Sequence, residues 1–307
     1  MDRKVRVTVV GSFNQDLVVV TPRMPVKGET ILGGRYQTGP GGKGANQAVA
    51  AARLGADVAM VVKLGTDDIG DGAQANLVAE GVRPDYLLRT GETHTGVAFI
   101  IVDAEGENMI VVAPGSNTLL APDDVDACRA AITEADVLLV ELESPLETVQ
   151  RALEVAREAG VRTILNPAPG QPLANEMLEL VDVLTPNETE TELIAGMPVT
   201  DVPGAEAAGR HLLAQGVGTV IVTLGAKGAL IVAPDGVQHV PGHVVDVVDT
   251  TGAGDAFNGA IAVALAEGKE VAEAVALANA AAALQVTKFG TAPAMPYRDE
   301  VERLLAD

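Results

Sequence analysis

Aromatic side chains are almost missing from this chain: they make up 2% of its 307 residues, with four Phe, three Tyr and no Trp. An interior without large rings must be filled by aliphatic side chains and close backbone approach, and 48% hydrophobic residues with 33 glycines supply both. There is one cysteine, Cys128, so no internal disulfide can form and no thiol–histidine pair is indicated; the thiol reads as buried and structural. Basic residues are scarce too. Lys plus Arg number 21 against 42 Asp plus Glu, a formal net charge of −21, which argues against sequence-independent binding to nucleic acid or an anionic membrane. An anionic substrate would need local positive groups or Mg²⁺. No apolar run approaches the roughly 18 residues of a membrane span. Met1-Asp2-Arg3-Lys4 leads straight into Val5–Val10, too short for a signal segment, so a cytoplasmic location is expected.

Short apolar runs alternate with helical patterns through most of the chain. Val58–Lys63, Val137–Val140, Arg162–Leu165, Val181–Leu184 and Thr219–Val222 are separated by segments such as Leu146–Ala159 and Ala205–Gln215. This rhythm predicts an α/β fold of three layers, an open and mostly parallel sheet with helices on both faces. Two regions break it. Leu17–Gln37 and Thr95–Ala113 carry strand-like stretches (Thr30-Ile31-Leu32, Val97–Val102, Met109–Val112) with turns and no helix between them. They predict a small antiparallel β lid, formed by about 15–40 and 94–113, on a single domain spanning 1–307. Its apolar stretches suggest a homodimer that buries it.

A polar side chain follows one apolar run after another: Asn14 and Asp16, Glu143, Asn166, Asn187 and Thr223. Each alone could cap a helix or make a turn. Together they predict one crevice outside the carboxyl ends of the strands, where open α/β sheets bind ligands.

Two glycine-rich motifs sharpen this. Gly39-Pro40-Gly41-Gly42-Lys43-Gly44-Ala45-Asn46 precedes a helical run from Gln47 to Leu54, leaving backbone amides free at a helix N-terminus. It is not a Walker A loop, because Gly44 follows Lys43 where Ser or Thr belongs. Lys43 and Asn46 are donors suited to sugar hydroxyls. Asp249-Thr250-Thr251-Gly252-Ala253-Gly254-Asp255 opens an Ala-rich helix to about Ala266. The amides of Gly252, Ala253 and Gly254 form an anion hole for a transferring phosphoryl group, and Asp255 beside it can take the proton of an attacking hydroxyl. A helix cap would explain Asp255 but not the glycines. A dinucleotide fingerprint is excluded, since Phe257 stands where its third glycine would be.

Gly42–Ala48 and Asp249–Asp255 resemble the two signature segments of the ribokinase-like carbohydrate kinase family, and the likeness runs from Asn14 nearly to the C-terminus. Glu141–Glu147, Asn166–Pro169, Thr185–Glu190 and Thr223–Gly228 match in order as well. The resemblance implies ATP-dependent phosphorylation of a small sugar, with D-ribose at its O5 hydroxyl expected. It implies that Asn14, Asp16, Gly42, Lys43, Asn46 and Glu143 surround the sugar and that Asp255 is the base. It places Asn187, Thr223, Gly225, Gly228 and Asn279 at the nucleotide, with helix Val275–Gln285 giving aliphatic contact to adenine, and Glu190 near Mg²⁺ and phosphate. Asp249 and Thr251, with Gln285, Lys288, Gly290 and Ala294 of the segment Gln285–Ala294, resemble a potassium site built largely from backbone oxygens; Ala294 stands where the family commonly has serine. Rival readings are a kinase for 2-deoxyribose, fructose or a nucleoside, and a non-catalytic sugar sensor, which would have no need of Asp255. His239 and His243 are separated by Pro241-Gly242, which predicts a turn between two strands and no metal pair. His94 at the start of a lid strand and His211 within a helix are assigned no role.

Overall fold

The structure, a computed structural model, describes residues 3–306, so the ends of the expected 1–307 domain lie outside the described residues. Strands are β1 (Arg6–Val10), β2 (Asn14–Val20), β3 (Tyr36–Gly41), β4 (Asp57–Gly65), β5 (Val82–Arg83), β6 (Leu87–Thr90), β7 (Val97–Val102) and β8 (Asn108–Ala113). They continue as β9 (Val137–Val140), β10 (Arg162–Leu165), β11 (Val183–Leu184), β12 (Thr219–Thr223), β13 (Ala229–Ala233) and β14 (Gly236–Val240). The large sheet runs in the order β14-β13-β12-β11-β10-β9-β1-β4-β5, with β6 also paired to β4. Every pairing from β12 to β5 is parallel, and only β13 and β14 add antiparallel.

Successive residues of a strand point to opposite faces, and here both faces are covered. Val137 and Leu139 of β9 enter one core with the helices Lys43–Arg53, Ala253–Ala266 and Val271–Gln285. Leu138 and Val140 enter a second core with helices Leu146–Ala159 and Val202–Ala214. The three expected layers are therefore present. Cys128 is buried in the second core, between two short helices. No helix among the described residues is long and apolar enough to cross a membrane.

The chain leaves β1 in one direction to β4 and β5, and returns to the other side of β1 at β9. This reversal of strand order opens a crevice at the carboxyl ends of β1 and β9, where ligands bind in open α/β sheets. Over it lies the second sheet, ordered β3-β2-β7-β8. Its outer pairs are antiparallel as expected, but the central β2–β7 pairing is parallel, because β2 and β7 come from two separate excursions that leave the large sheet the same way. Thr30-Ile31-Leu32 is a loop and not a strand; Gly34 N–H reaches Val20 O (2.8 Å) and the partner of β2 is β3. Likewise His239 lies within β14, and no strand follows it among the described residues, so the expected turn between strands around His243 is absent.

Packing without aromatics is closest where the helices Lys43–Arg53 and Ala253–Ala266 cross. A β-carbon added to Gly259 would stand 2.5 Å from Ala50 Cβ and 2.8 Å from Gln47 O, so a side chain there must push the helices apart. Gly259→Val should lower stability by about 1–3 kcal/mol through overpacking. The measurement is the denaturant midpoint at unchanged m-value; an unshifted midpoint would mean that the crossing has slack.

Candidate active site

Three groups of side chains meet at the crevice. In the first, Glu143 follows β9, and its Oε2 accepts from Ser12 Oγ (2.6 Å), the Lys43 amide (3.0 Å) and Asn14 Nδ2 (3.2 Å). Oε2 is thereby filled and Oε1 is left for a ligand. Asn14 is buried and its amide is fixed by Asn117, whose Nδ2 donates to Asn14 Oδ1 (3.0 Å) and to Phe13 O (2.9 Å). Asp16, one pleat further along β2, accepts from Thr291 Oγ1 (3.2 Å). Glycine is required beside it: a β-carbon on Gly41 would collide with the Asp16 carboxylate, and one on Gly42 (φ 88°) would stand 2.5 Å from Asn14 N. The helix begins at Lys43, four residues before the expected Gln47, since Gly42 already provides the turn.

In the second group, Asp255 is buried in the first turn of Ala253–Ala266. Its Oδ2 accepts from Asn46 Nδ2 (2.8 Å) and its Oδ1 from Gln47 Nε2 (3.2 Å). Gly252, with φ 86°, is the N-cap and no side chain caps this helix. The amides of Gly252 and Gly254 have no hydrogen-bond partner among the described residues, whereas Ala253 N–H turns back to Thr250 O (3.3 Å). Of the three amides expected to be free, two are, because the third closes the turn. A β-carbon on Gly254 would meet nothing within 4 Å, so space is open in front of it.

The third group lies beyond β11 and β12. Asn187 and Glu190 form a reciprocal capping box, Asn187 Oδ1 accepting from Glu190 N (2.8 Å) and Glu190 Oε2 from Asn187 N (2.9 Å). Thr223 pairs with Asn187 across a parallel bridge, and Gly225 (φ 56°) and Gly228 (φ 94°) shape the turn that follows. Asn279 Nδ2 donates to Val240 O (3.2 Å) and Pro241 O (3.1 Å), pinning the chain after β14 to its helix, which starts at Val271.

Beside the Gly252–Gly254 loop, Asp249 accepts from Thr251 N (2.9 Å) and Gly290 N (3.1 Å). Gln285 Nε2 donates to both Thr251 O (2.5 Å) and Gly290 O (2.9 Å), so these carbonyls converge on one point. Gln285 takes part through its side chain, its carbonyl being used by Lys288 N (3.2 Å) at the helix end. The Lys288 side chain pairs with Glu300 (2.8 Å) and points elsewhere, and Ala294 is buried and offers no side-chain oxygen. One carboxylate with neutral carbonyls fits a monovalent cation better than a divalent one. For such an ion to bind, the Gln285 amide must yield the two carbonyls.

Burial dominates the electrostatics. It pushes Asp255 up to about 6, against the opposing pull of the Lys43 ammonium and the Asn46 hydrogen bond. Burial likewise raises Asp16 to about 7, with Thr291 opposing and Glu143 and Asp255 reinforcing. Burial alone would depress Lys43, yet Asp255, Glu143, Glu141 and Glu190 around it hold it protonated above its usual value. Desolvation also lifts Glu190, with its Asn187 bond and Lys43 opposing. Glu141, fully buried, is raised by burial and by Glu143, while accepting from Ser12 N and Glu143 N (2.6 Å each). It ties the end of β1 to the end of β9 beneath the crevice.

The sequence reading assigned no role to Glu141, Ser12, Gln47, Asn117 or Thr291. Gln47, Glu141 and Thr291 lie inside the segments Gly42–Ala48, Glu141–Glu147 and Gln285–Ala294, a signal that could have found them; Ser12 and Asn117 carry none before the chain is folded. Residues 4–298 match the pfkB family of carbohydrate kinases. The chain belongs to that family. A ribokinase of Haemophilus influenzae is 43% identical over 298 residues, covering 97% of each chain. A deoxyribokinase of Salmonella typhi is 38% identical over 301 residues, covering 98% of each. The structure of Arabidopsis thaliana ribokinase complexed with ribose and ATP superposes with a TM-score of 0.94 at 35% identity, covering 99% of this chain and 100% of that one. In this pfkB-family crevice the carboxyl groups should titrate as their surroundings dictate. Carbon-13 titration should find Asp255 and Asp16 ionising near 6 and 7. Lys43→Met removes the ammonium that favours the carboxylate, so the Asp255 titration should move to higher pH; a downward or absent shift would show that Lys43 does not act on it.

Proposed function

We propose that the protein transfers the γ-phosphate of ATP to the O5 hydroxyl of D-ribose, giving D-ribose 5-phosphate and ADP. One observation carries this: a buried carboxylate, Asp255, adjoins the unpartnered amides of Gly252 and Gly254 at a helix N-terminus, within electrostatic reach of Lys43. Full-length likeness to ribokinases supports ribose as the sugar. A base aimed at an anion hole has no use in a sugar sensor.

Asn14, Asp16, Gly42, Lys43, Asn46 and Glu143 enclose the sugar. Asp16 and the free Oε1 of Glu143 accept from hydroxyls, while Lys43 and Asn46 donate. Asp255 takes the O5 proton as that oxygen attacks the γ-phosphorus; the bond to the β-phosphate oxygen breaks and its electron pair leaves on ADP. The Gly252 and Gly254 amides and the positive end of their helix hold the oxygens of the group in transfer, with Ala253 shaping the turn. Asn187, Thr223, Gly225, Gly228 and Asn279 border the nucleotide. Mg²⁺ on the ATP phosphates would supply positive charge to a crevice in which Lys43 faces Asp255, Glu143, Glu141 and Glu190, and Glu190 would hold it directly or through water. Potassium would bind at Asp249, Thr251 O and Gly290 O, fixing the backbone that leads into Gly252.

The four-stranded sheet acts as the lid of this single domain and as the contact surface of a homodimer. In its support, Met109, Ile110, Val111 and Val112 of the edge strand β8 are 43–67% exposed, an apolar edge that a second copy would cover. A cytoplasmic location fits a reaction that draws on ATP.

Asp255→Asn should keep the fold and ribose binding and lower kcat by about 10²–10⁴; wild-type turnover would leave Asp255 as a cap only. The Salmonella relative favours 2-deoxyribose as the second reading, and the ratio of kcat/KM for the two sugars decides between them. Exchanging K⁺ for Na⁺ should lower kcat in the wild type and leave Asp249→Ala indifferent, and a cation-insensitive wild type would remove the potassium site.

A further inference from the structure

Gln47 is fully buried in the helix Lys43–Arg53, yet it bridges two segments remote in the chain. Asn166 Nδ2 donates to Thr185 O (3.3 Å), which turns Asn166 Oδ1 toward Gln47. Gln47 Nε2 donates to that oxygen (3.0 Å) and to Asp255 Oδ1 (3.2 Å). Both neighbours are acceptors, so the amide has one orientation that satisfies them, and its Oε1 is buried without a partner. Asp255 Oδ2 is held differently. Its donor, Asn46 Nδ2 (2.8 Å), belongs to a residue of the sugar crevice whose own Oδ1 is also buried without a partner. One oxygen of the base is therefore anchored to the protein interior, and the other to a side chain that can turn when sugar arrives.

We propose that Gln47, anchored by Asn166, is a positioning residue for phosphoryl transfer: it holds Asp255 Oδ1 and so presents Oδ2 as the oxygen that takes the sugar proton. This rests on Asp255 being the base. On substrate binding, Asn46 releases Oδ2 to the sugar hydroxyl, the proton passes from O5 to Oδ2, and Gln47 keeps the carboxylate from rotating. A donor to the charged form also favours ionisation. The charged groups facing Asp255 are Lys43 on the helix of Gln47, Glu143 after β9, Asp16 on β2 and Glu190 on the helix after β11. Lys43 favours the ionised base, the three carboxyl groups oppose it, and Gln47 adds to the pull of Lys43.

The test is Gln47→Met, close to Gln in length but without donors, measured as kcat against pH with saturating ribose and ATP. The acid limb should move up by about one pH unit and the plateau should fall about 10-fold, as expected for losing a hydrogen bond to a charged group. Ribose affinity without nucleotide should be unchanged, because Gln47 is not a sugar contact. An unshifted limb with only a lower melting temperature would make Gln47 structural and overturn the proposal. If Gln47→Met does not fold, Asn166→Ala removes the anchor, and the limb must shift the same way for the proposal to stand. Asp255→Asn, run alongside, separates the two readings. Retained turnover there removes the base itself, whereas lost turnover with an unshifted Gln47→Met limb removes only the role of Gln47.

Discussion

The contact between the helices Lys43–Arg53 and Ala253–Ala266 decides where everything else in the crevice can stand. Gly259 lets the second helix close on Ala50 and the Gln47 carbonyl of the first. Only at that separation can Asn46 and Gln47 each reach one oxygen of Asp255. A buried carboxylate without donors would be costly, of the order of several kcal/mol, and would protonate instead. Two amides and a nearby ammonium keep it a carboxylate that still takes a proton near 6, where an exposed aspartate would not. Packing and proton chemistry are here the same arrangement.

A second dependence runs from the segment Gln285–Ala294 to the small sheet. Thr291 Oγ1 lies within reach of both Asp16 Oδ2 (3.2 Å) and Pro40 O (3.0 Å), and Arg35 stacks over Phe289 (5.7 Å). The turn that carries Gly290 therefore abuts β2 and β3 of the small sheet. Gln285 joins the same turn to Thr251, one residue before the unpartnered Gly252 amide. The small sheet, the crevice residue Asp16 and the loop before Gly252 share one short stretch of backbone, so a change in that stretch acts on all three.

The scarcity of aromatics has a consequence for specificity. None of the crevice side chains described above is aromatic, so they act through hydrogen bonds whose orientation must be fixed beforehand. Asn117 fixes the Asn14 amide, three donors fill one Glu143 oxygen, and the fully buried Glu141 holds the backbone beneath both. Buried polar groups held this way discriminate strongly against a ligand that leaves one of them unpaired.

The linear sequence determined the layers and the place of the two glycine motifs at helix starts. Continuous apolar runs bounded by helical patterns point to a parallel sheet covered on both faces, and a glycine run before a helix points to free amides, which the structure leaves at Gly252 and Gly254 but fills at Lys43, Gly44 and Ala45. It therefore placed Val137–Val140, Arg162–Leu165 and Leu146–Ala159 at their observed limits, and Asp255 at its helix start. It could not show that β2 and β7 pair in parallel, that Ala253 turns its amide inward, or that Gln285 acts through its side chain. It also could not show that Gln47, Glu141 and Thr291 support the site. Apart from the Ala253 amide, which closes locally on Thr250 O, each of these depends on a partner roughly 30 to more than 250 positions away. Hydrogen bonds across such separations are fixed only when helix crossing and sheet order bring the two segments together, and that is decided by tertiary packing.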